Sequence, residues 1–312
     1  MIDLHVHSTA SDGTCPPEEL AERGRAFSLM ALTDHDNTDG CTRFLSACRE
    51  LGVPGVRLPG VELSVAPGAG YGQLHMLGLG IDPDAPDFAA FLARIRAGRA
   101  ERNARMLEKL ASLGMPVTMD EVRRYAGGEV VARPHIARVL VEKGFATGVR
   151  DAFERFLGPK AVAYVSRYRP SPEEAIAAIH SAHGVAVLAH PRFWSSDAKM
   201  LADGFARLKD VGLDGVEAVY QANLPLETPL HLRLARETGL AVTAGSDFHG
   251  ANKSSVTLGM DVGDEEEFLA PLFAALARRG HVRNQPARTT AFSRIPNTAT
   301  KRMVRSRPQA SR

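Results

Sequence analysis

With 312 residues, the chain can bury a large core, either as one barrel-type domain or as two smaller units. Its composition is ordinary for a soluble globular protein, and no apolar run is long enough to cross a bilayer. The first residues lack the basic and then apolar order of a secretion signal, so we expect a cytoplasmic protein with no membrane partner. Cys15, Cys41 and Cys48 are odd in number and form no Cys-x-x-Cys pair, which argues against a disulfide framework or a structural zinc knuckle.

The net charge of +2 is unevenly distributed along the chain. Residues 286–312 contain seven Lys or Arg and no Asp or Glu, which leaves 31 basic and 36 acidic residues elsewhere, a net charge of −5. The mildly acidic body suits cation binding, whereas the basic tail has few core-forming residues and is expected to be a disordered, solvated extension. A weak electrostatic contact with nucleic acid is the alternative role for this tail.

Short apolar segments alternate with helical segments, which is typical of an α/β protein with a mainly parallel sheet. At the start of the chain, Asp3, His5 and His7 alternate with apolar residues at a period of two, so this segment is a predicted strand with both imidazoles on one face. The predicted strands are Ile2–His7, Met30–Thr33, Val56–Leu63, Leu74–Leu79, Val185–Ala189, Gly215–Val219 and Ala241–Ala244.

After residue 81 the strand signal disappears for almost ninety residues, and apolar residues recur at helical spacing. Thr118 with Glu121 predicts a capping box in this region, and Ser171 with Glu174 predicts another at the start of the following helix. Insertions into barrels collect on loops at the functional end, so we expect a cap over the site. The predicted segments are a barrel in two parts (1–81 and 170–285), a helical insertion (82–169) and the basic tail (286–312).

Histidine and carboxylate residues recur at the ends of the predicted strands. One histidine in a strand is usually a packed core residue, but so many at strand ends favour a shared site, because the carboxyl ends of barrel strands converge. Imidazole nitrogens and carboxylate oxygens are metal ligands, so the site is predicted to bind metal. The residues concerned are His5, His7, Asp12, Asp34, His35, Asp36, Glu62, His75, His190, Asp247 and His249.

The sequence resembles the polymerase and histidinol phosphatase (PHP) superfamily of metal-dependent phosphoesterases through "DLHVHS", "TDHD", "GVELS", "AHP" and "GSDFHG", in that order. Within it, the sequence is most similar to the nucleoside 3′,5′-bisphosphate phosphatases that also trim short RNA oligonucleotides from the 5′ end, because of "ARPHIAR" in the insertion and the ending "GSDFHGANK". The resemblance implies a distorted (β/α)7 TIM-like barrel of the α/β class that holds three divalent metal ions. Mixed histidine and carboxylate ligands fit manganese, zinc or iron.

The resemblance also implies how the ligands are shared among the ions. The first ion takes His5, His7, Glu62 and Asp247, the second takes Asp12, His35 and His249, and the third takes His75 and His190 with Glu62 as the bridge. Glu62, Asp247 and His249 are therefore expected to act in catalysis, because clustered metals lower the pKa of a bridging water that attacks phosphorus in line. Asp36 is a candidate for protonating the leaving oxygen, although orientation of a ligand imidazole, or more readily capping of the next helix, would also explain Asp34 and Asp36.

Substrate recognition is expected to use cations outside the metal ligands. Arg133 and His135 lie where a helix is predicted to begin, so an anion there would meet free backbone amides as well as a guanidinium group. Lys160, Arg192, Arg99 and Arg102 are further candidates, although a single arginine on a helix is usually a solvated surface charge.

Three functional hypotheses remain open from the sequence. The leading one is hydrolysis of nucleoside 3′,5′-bisphosphates, with removal of 5′ nucleotides from short RNA oligonucleotides as an additional activity. The second is a histidinol phosphate phosphatase or another small phosphomonoesterase with the same metals. The third is a PHP module without turnover that acts as a nucleic-acid accessory, which the complete set of ligands argues against.

Overall fold

The computed structural model describes residues 1–126 and 130–280. Within these ranges, seven strands form one sheet in which spatial order follows chain order. Each predicted strand overlaps an observed one. The strands are β1 (Ile2–Asp3), β2 (Leu29–Leu32), β3 (Val56–Val65), β4 (Leu74–Leu79), β5 (Val185–Leu188), β6 (Gly215–Tyr220) and β7 (Ala241–Gly245).

The sheet is nearly closed into a barrel. Neighbouring strands are parallel except at β4, which is antiparallel to both β3 and β5. Beyond β1, the Leu4 amide donates to the Ala244 carbonyl at 3.1 Å and the His7 amide donates to the Phe248 carbonyl at 3.0 Å. The first strand is shorter than predicted, and the backbone after Asp3 hydrogen-bonds instead to the end of β7 and to the residues that follow it. The predicted α/β fold, a distorted TIM-like barrel, is confirmed.

Helices cover the outside of the barrel and also make up much of the chain between β4 and β5, where the insertion is predicted. Both predicted capping boxes are present, at Thr118 with Glu121 and at Ser171 with Glu174. No helix in the described part of the chain is long and apolar enough to span a membrane. In the ranges that the structure describes, the α-helices are α1 (Pro17–Arg23), α2 (Asp39–Glu50), α3 (Pro86–Ser112), α4 (Met119–Arg123), α5 (Arg133–Glu142), α6 (Val149–Ala152), α7 (Pro172–Ser181), α8 (Ala198–Asp210), α9 (Glu227–Thr238) and α10 (Glu265–Arg278).

The long helix α3 ties the insertion to the barrel. Phe88 and Ile95, in its first half, pack into a core that also contains residues of β3, β4 and α7. Met106 and Leu110, in its second half, pack into a separate core formed with α5 and the neighbouring segments. The insertion is thus anchored through one continuous helix, and its exact boundaries at 82 and 169 stay a prediction. The basic segment 286–312 lies outside the described residues.

Candidate active site

The structure brings the side chains of all nine predicted metal ligands close together at one end of the barrel, where the amino end of the antiparallel strand β4 contributes His75. We call these residues the ligand cluster. Its members are buried or nearly so, and the most exposed of them, His75, shows only 20% of its side chain to solvent. The ligand cluster consists of His5, His7, Asp12, His35, Glu62, His75, His190, Asp247 and His249.

Glu62 lies at the centre of the ligand cluster, and its two oxygens face different histidines. Oε1 lies 2.7 Å from His75 Nδ1 and 3.0 Å from His190 Nε2. Oε2 lies 2.8 Å from His35 Nδ1, 3.2 Å from His7 Nε2 and 3.3 Å from His5 Nε2. A carboxylate with a separate set of nitrogens around each oxygen has the arrangement that a bridging ligand requires.

The potential ligand atoms fall into four overlapping groups. The second ligand set implied by the sequence, Asp12 with His35 and His249, lies within one group that also includes His7. His75 and His190 fall into different groups, which share Glu62. The groups are His7, Asp12, His35 and His249; His5, His7 and Asp247; His5, Glu62 and His190; and His35, Glu62 and His75.

Unpartnered buried atoms in the ligand cluster fit bound metal ions. His5 Nε2, His7 Nε2, His35 Nδ1, Asp12 Oδ1 and Glu62 Oε2 are all buried without a hydrogen-bond partner. Leaving such atoms unpaired is costly, and a cation that accepts their lone pairs removes that cost. The mixture of imidazole nitrogen and carboxylate oxygen fits manganese, zinc or iron.

The electrostatics of the ligand cluster favour positive charge. Burial by itself raises the pKa of Glu62, but the charge of His35, with those of other histidines around it, outweighs burial and holds its pKa well below the usual value. Burial lowers the pKa of His75 to about 4, which leaves this imidazole neutral and able to act as a ligand. At His7, by contrast, Asp247 and Glu62 overcome the effect of burial and raise the pKa to about 9.

Glu217 supports the ligand cluster from β6 and was missed by sequence reasoning. Its side chain is fully buried, and Oε1 accepts from His5 Nδ1 at 3.0 Å, while Oε2 accepts from the backbone amide of His190 at 2.8 Å. Because a carboxylate only accepts, His5 carries its proton on Nδ1 and presents the lone pair of Nε2 to the cluster. A Cβ at Gly245 would lie 2.2 Å from Glu217 Oε1, so only glycine permits this approach. The sequence feature that could have identified Glu217 is a carboxylate within the otherwise apolar strand "GVEAVY".

Asp247 is held by two further side chains that the sequence did not identify. The hydroxyl of Tyr220 donates to its Oδ2 at 3.0 Å, and Lys253 Nζ lies 2.5 Å from the same oxygen. The other oxygen, Oδ1, lies 3.3 Å from both His7 Nε2 and His249 Nδ1. Oδ1 of Asp247 thus faces the histidines, while Tyr220 and Lys253 hold Oδ2 in place.

Asp34 and Asp36 do not cap the following helix, which corrects the expectation for both residues. Helix α2 begins at Asp39 with Thr38 at its N-cap. Asp34 instead accepts hydrogen bonds at 2.6 Å from the hydroxyls of Ser8 and Ser11, which brace the loop after β1.

Asp36 faces two arginines of the segment between β4 and β5. It forms ion pairs with Arg99 and with Arg167, the latter at 3.0 Å, and accepts from the backbone amide of Ser64. Burial by itself raises the pKa of Asp36, but the two guanidinium groups outweigh it and hold the pKa well below the usual value. A carboxylate that stays ionised and paired in this way is a poor proton donor, which argues against Asp36 as the general acid.

Five arginines lie near one another, and we call them the arginine cluster; two of them pair with Asp36. Arg102 is 5% exposed, and burial together with repulsion from the other arginines lowers its pKa to about 8. Buried guanidinium nitrogens without a hydrogen-bond partner include Arg99 Nε, Arg102 Nε and Arg167 Nη1. Such an excess of buried positive charge predicts an anion site. The arginine cluster consists of Arg99, Arg102, Arg133, Arg167 and Arg169.

Sequence reasoning predicted only part of the arginine cluster. Arg99, Arg102 and Arg133 were among its candidates, but Arg167 and Arg169 were not. The signal was present in "VSRYRP", where two arginines lie two positions apart at the end of the predicted insertion.

The remaining predicted binding residues have different environments. His135 is buried, and its Nδ1 accepts from the Ala132 amide at 3.2 Å. Burial lowers the pKa of His135, and the charge of nearby Asp12 partly opposes this. Arg192 Nε lies 3.4 Å from a carboxylate oxygen of Glu227, and Lys160 is exposed in a turn.

A barrel with histidines and carboxylates at its strand ends, beside buried arginines, defines a metal-dependent phosphoesterase. Comparison with known proteins agrees, since residues 3–117 match the model of the PHP domain. The chain is 36% identical to a 3′,5′-nucleoside bisphosphate phosphatase of Chromobacterium violaceum, over 85% of this chain and 92% of that protein. It is 34% identical to the 5′-3′ exoribonuclease Rnm of Escherichia coli, over 80% of this chain and 85% of that protein.

A solved structure extends the similarity to the fold. An amidohydrolase from Chromobacterium violaceum, with bound sulfate and no metal, superimposes with a TM-score of 0.78 at 34% identity, over 89% of this chain and 96% of that one. The chain therefore belongs to the PHP domain family, and it is a hydrolase.

Proposed function

We propose that this protein removes the 3′-phosphate from nucleoside 3′,5′-bisphosphates. The observation that carries the proposal is that a predicted metal site, the ligand cluster, lies directly beside a predicted anion site, the arginine cluster. His35 belongs to the ligand cluster, and the next residue, Asp36, pairs with two members of the arginine cluster. A substrate with two phosphates on one sugar would place one phosphate at each site.

The nine residues of the ligand cluster are proposed to hold three divalent ions of manganese, zinc or iron. Bound there, such ions supply an activated water and neutralise charge on the phosphoryl oxygens. The protein fixes the ligands beforehand: Glu217 sets the proton on His5 Nδ1, and Tyr220 with Lys253 holds one oxygen of Asp247. The burial of Glu62 excludes solvent from the centre of the site.

The arginine cluster is proposed to bind the 5′-phosphate. Guanidinium groups match the oxygens of a phosphate with paired donors, and burial strengthens each of these charge-assisted contacts. Asp36 holds Arg99 and Arg167, while Arg133 Nη1 donates to the Leu157 carbonyl at 3.1 Å. These contacts orient the donors before the substrate arrives, so less conformational entropy is lost on binding.

The same arrangement supports removal of 5′ nucleotides from short RNA oligonucleotides as a second activity. The relatives named 5′-3′ exoribonucleases, from Escherichia coli and Haemophilus influenzae, are 34% and 35% identical to this chain. An RNA with a 5′-phosphate resembles a nucleoside bisphosphate whose 3′-phosphate is esterified to the next residue. With the 5′-phosphate among the arginines, the first phosphodiester would lie where the 3′-phosphate lies in the smaller substrate.

The test is a substrate panel with purified protein and manganese. It contains adenosine 3′,5′-bisphosphate, adenosine 3′-monophosphate, histidinol phosphate and a 5′-phosphorylated oligoribonucleotide. We expect adenosine 3′,5′-bisphosphate to have the highest kcat/KM and to yield adenosine 5′-monophosphate. Faster hydrolysis of histidinol phosphate would favour the small phosphomonoesterase, and equal rates with the 3′-monophosphate would contradict a second phosphate site.

A further inference from the structure

Phe193 is an aromatic residue beside the ligand cluster that stays 43% exposed. It ends the 3₁₀ turn Pro191–Phe193, which follows directly after His190. Its ring meets the imidazole of His190 edge to face, with 5.1 Å between ring centroids, and the ring of Tyr220 with 6.0 Å between centroids. The Phe193 ring is thus partly exposed and lies beside the ligand cluster, so it has a surface that a ligand can contact.

The ring is held in place by contacts on its own turn and on neighbouring segments. The carbonyl of Phe193 accepts from the Gln73 amide at 2.8 Å, and its amide donates to the His190 carbonyl at 3.1 Å. The next residue, Trp194, is buried and donates from Nε1 to the Pro67 carbonyl at 3.0 Å. The guanidinium of Arg192 lies 5.4 Å from the centroid of the Phe193 ring. The aromatic surface is therefore preorganised and has a cation close to it.

Phe193 and the arginine cluster lie next to different histidines of the ligand cluster. The arginine cluster adjoins the segment of His35, whereas Phe193 contacts His190. These two histidines contact different oxygens of Glu62. The ribose of a nucleoside 3′,5′-bisphosphate carries three substituents in different directions, namely the 5′-phosphate, the 3′-phosphate and the base.

We infer that Phe193 is a specificity-determining residue that stacks on the base of the nucleotide substrate. This inference rests on the proposed function, and it adds a third point of recognition to the two phosphate sites. Stacking uses the face of the base, which all bases share, so Phe193 discriminates nucleotides from sugar phosphates without selecting one base. Arg192, which pairs with Glu227 and lies over the Phe193 ring, strengthens the stacking site through a cation–π interaction.

The test compares the parent with Phe193→Ala and Phe193→Trp on two substrates. One is adenosine 3′,5′-bisphosphate, and the other is 1,4-anhydroribitol 3,5-bisphosphate, which has the same phosphates but no base. Phe193→Ala should lower the ratio of kcat/KM for the nucleotide to kcat/KM for the abasic compound by about ten-fold, mainly through KM. Phe193→Trp should preserve the ratio. An unchanged ratio in Phe193→Ala would overturn the inference.

A binding measurement keeps this result separate from the proposed function. Phe193→Trp adds a second tryptophan to a chain with only one, so its fluorescence can be compared with that of the parent. Adenosine 3′,5′-bisphosphate should quench the added fluorescence and the abasic compound should not, whether or not either is hydrolysed. Equal quenching by both, or none by the nucleotide, would refute stacking. Leu226→Ala, at another exposed apolar position, is the matched control and should leave both kcat/KM values unchanged.

Discussion

The carboxylate of Asp36 and the guanidinium of Arg167 lie 3.0 Å apart, and this ion pair joins the barrel to the end of the insertion. Asp36 has a φ of +50°, in the left-handed region that non-glycine residues rarely adopt. Such backbone strain persists where the surrounding structure stabilises it, as it is here by the ion pairs and by the Ser64 amide. The conformation lets consecutive residues serve different sites, with His35 at the metals and Asp36 at the arginines.

Asp36→Asn should weaken the second phosphate site without removing a metal ligand. Because Arg99 and Arg167 lose their carboxylate, we expect kcat/KM for adenosine 3′,5′-bisphosphate to fall about ten-fold, and that for adenosine 3′-monophosphate to fall much less. Unfolding should begin at a lower temperature, and inorganic phosphate should raise the Tm less in this variant than in the parent, because the second phosphate site is weaker. Equal losses on both substrates would indicate that Asp36 acts in the chemical step.

Glu62→Gln should remove nearly all turnover while the protein stays folded. Glutamine offers one neutral oxygen where Glu62 offers two anionic ones, and those two oxygens face separate histidine sets. The measurements are metal content after dialysis, kcat with saturating manganese and circular dichroism. A variant with full metal content and activity near that of the parent would show that Glu62 is not a bridge.

The basic segment 286–312 is expected to affect only longer substrates. Its deletion should leave the hydrolysis of adenosine 3′,5′-bisphosphate unchanged, because the motifs of the site end at Lys253. If the segment contacts nucleic acid, oligoribonucleotides should bind less tightly after the deletion, and the difference should shrink as salt rises. Identical oligonucleotide affinities at low salt would exclude the contact.

That the nine residues of the ligand cluster lie together could be predicted from the sequence, because the ends of barrel strands converge. His75 and His190 are over a hundred residues apart, yet both lie at Glu62 Oε1 because β4 and β5 are neighbours in the sheet. The strands were also predictable, since each is a short apolar run between turn residues.

Electrostatic partners were harder to predict because they depend on how the insertion packs. Nothing local to "TDHD" shows that Asp36 meets Arg167, which lies 131 positions later in the chain. Glu217 could not be identified for a similar reason, since its partner His5 lies 212 positions earlier in the chain. From the local sequence, Asp36 was expected to cap the next helix, but in the structure it forms ion pairs with residues far away in the chain.

Arg102 and Arg105 offer a matched pair of variants for the anion site. Both lie on α3, but Arg102 is buried among other arginines while Arg105 is exposed and pairs with Glu101. Arg102→Met keeps most of the side-chain volume and removes a buried charge that repels its neighbours, so we expect the variant to be at least as stable as the parent. Its kcat/KM for adenosine 3′,5′-bisphosphate should nevertheless fall at least ten-fold, because a charge-assisted contact is lost.

Thermal unfolding with and without inorganic phosphate separates this outcome from a folding defect. Phosphate should raise the Tm of the parent and of Arg105→Met, and it should raise the Tm of Arg102→Met less, because ligand stabilisation depends on affinity for the folded state. Destabilisation of Arg102→Met together with an unchanged response to phosphate would mean that Arg102 is a structural residue. In that case, its burial among Arg99, Arg133 and Arg167 would need an acceptor within the protein, and the second phosphate site would have to lie elsewhere.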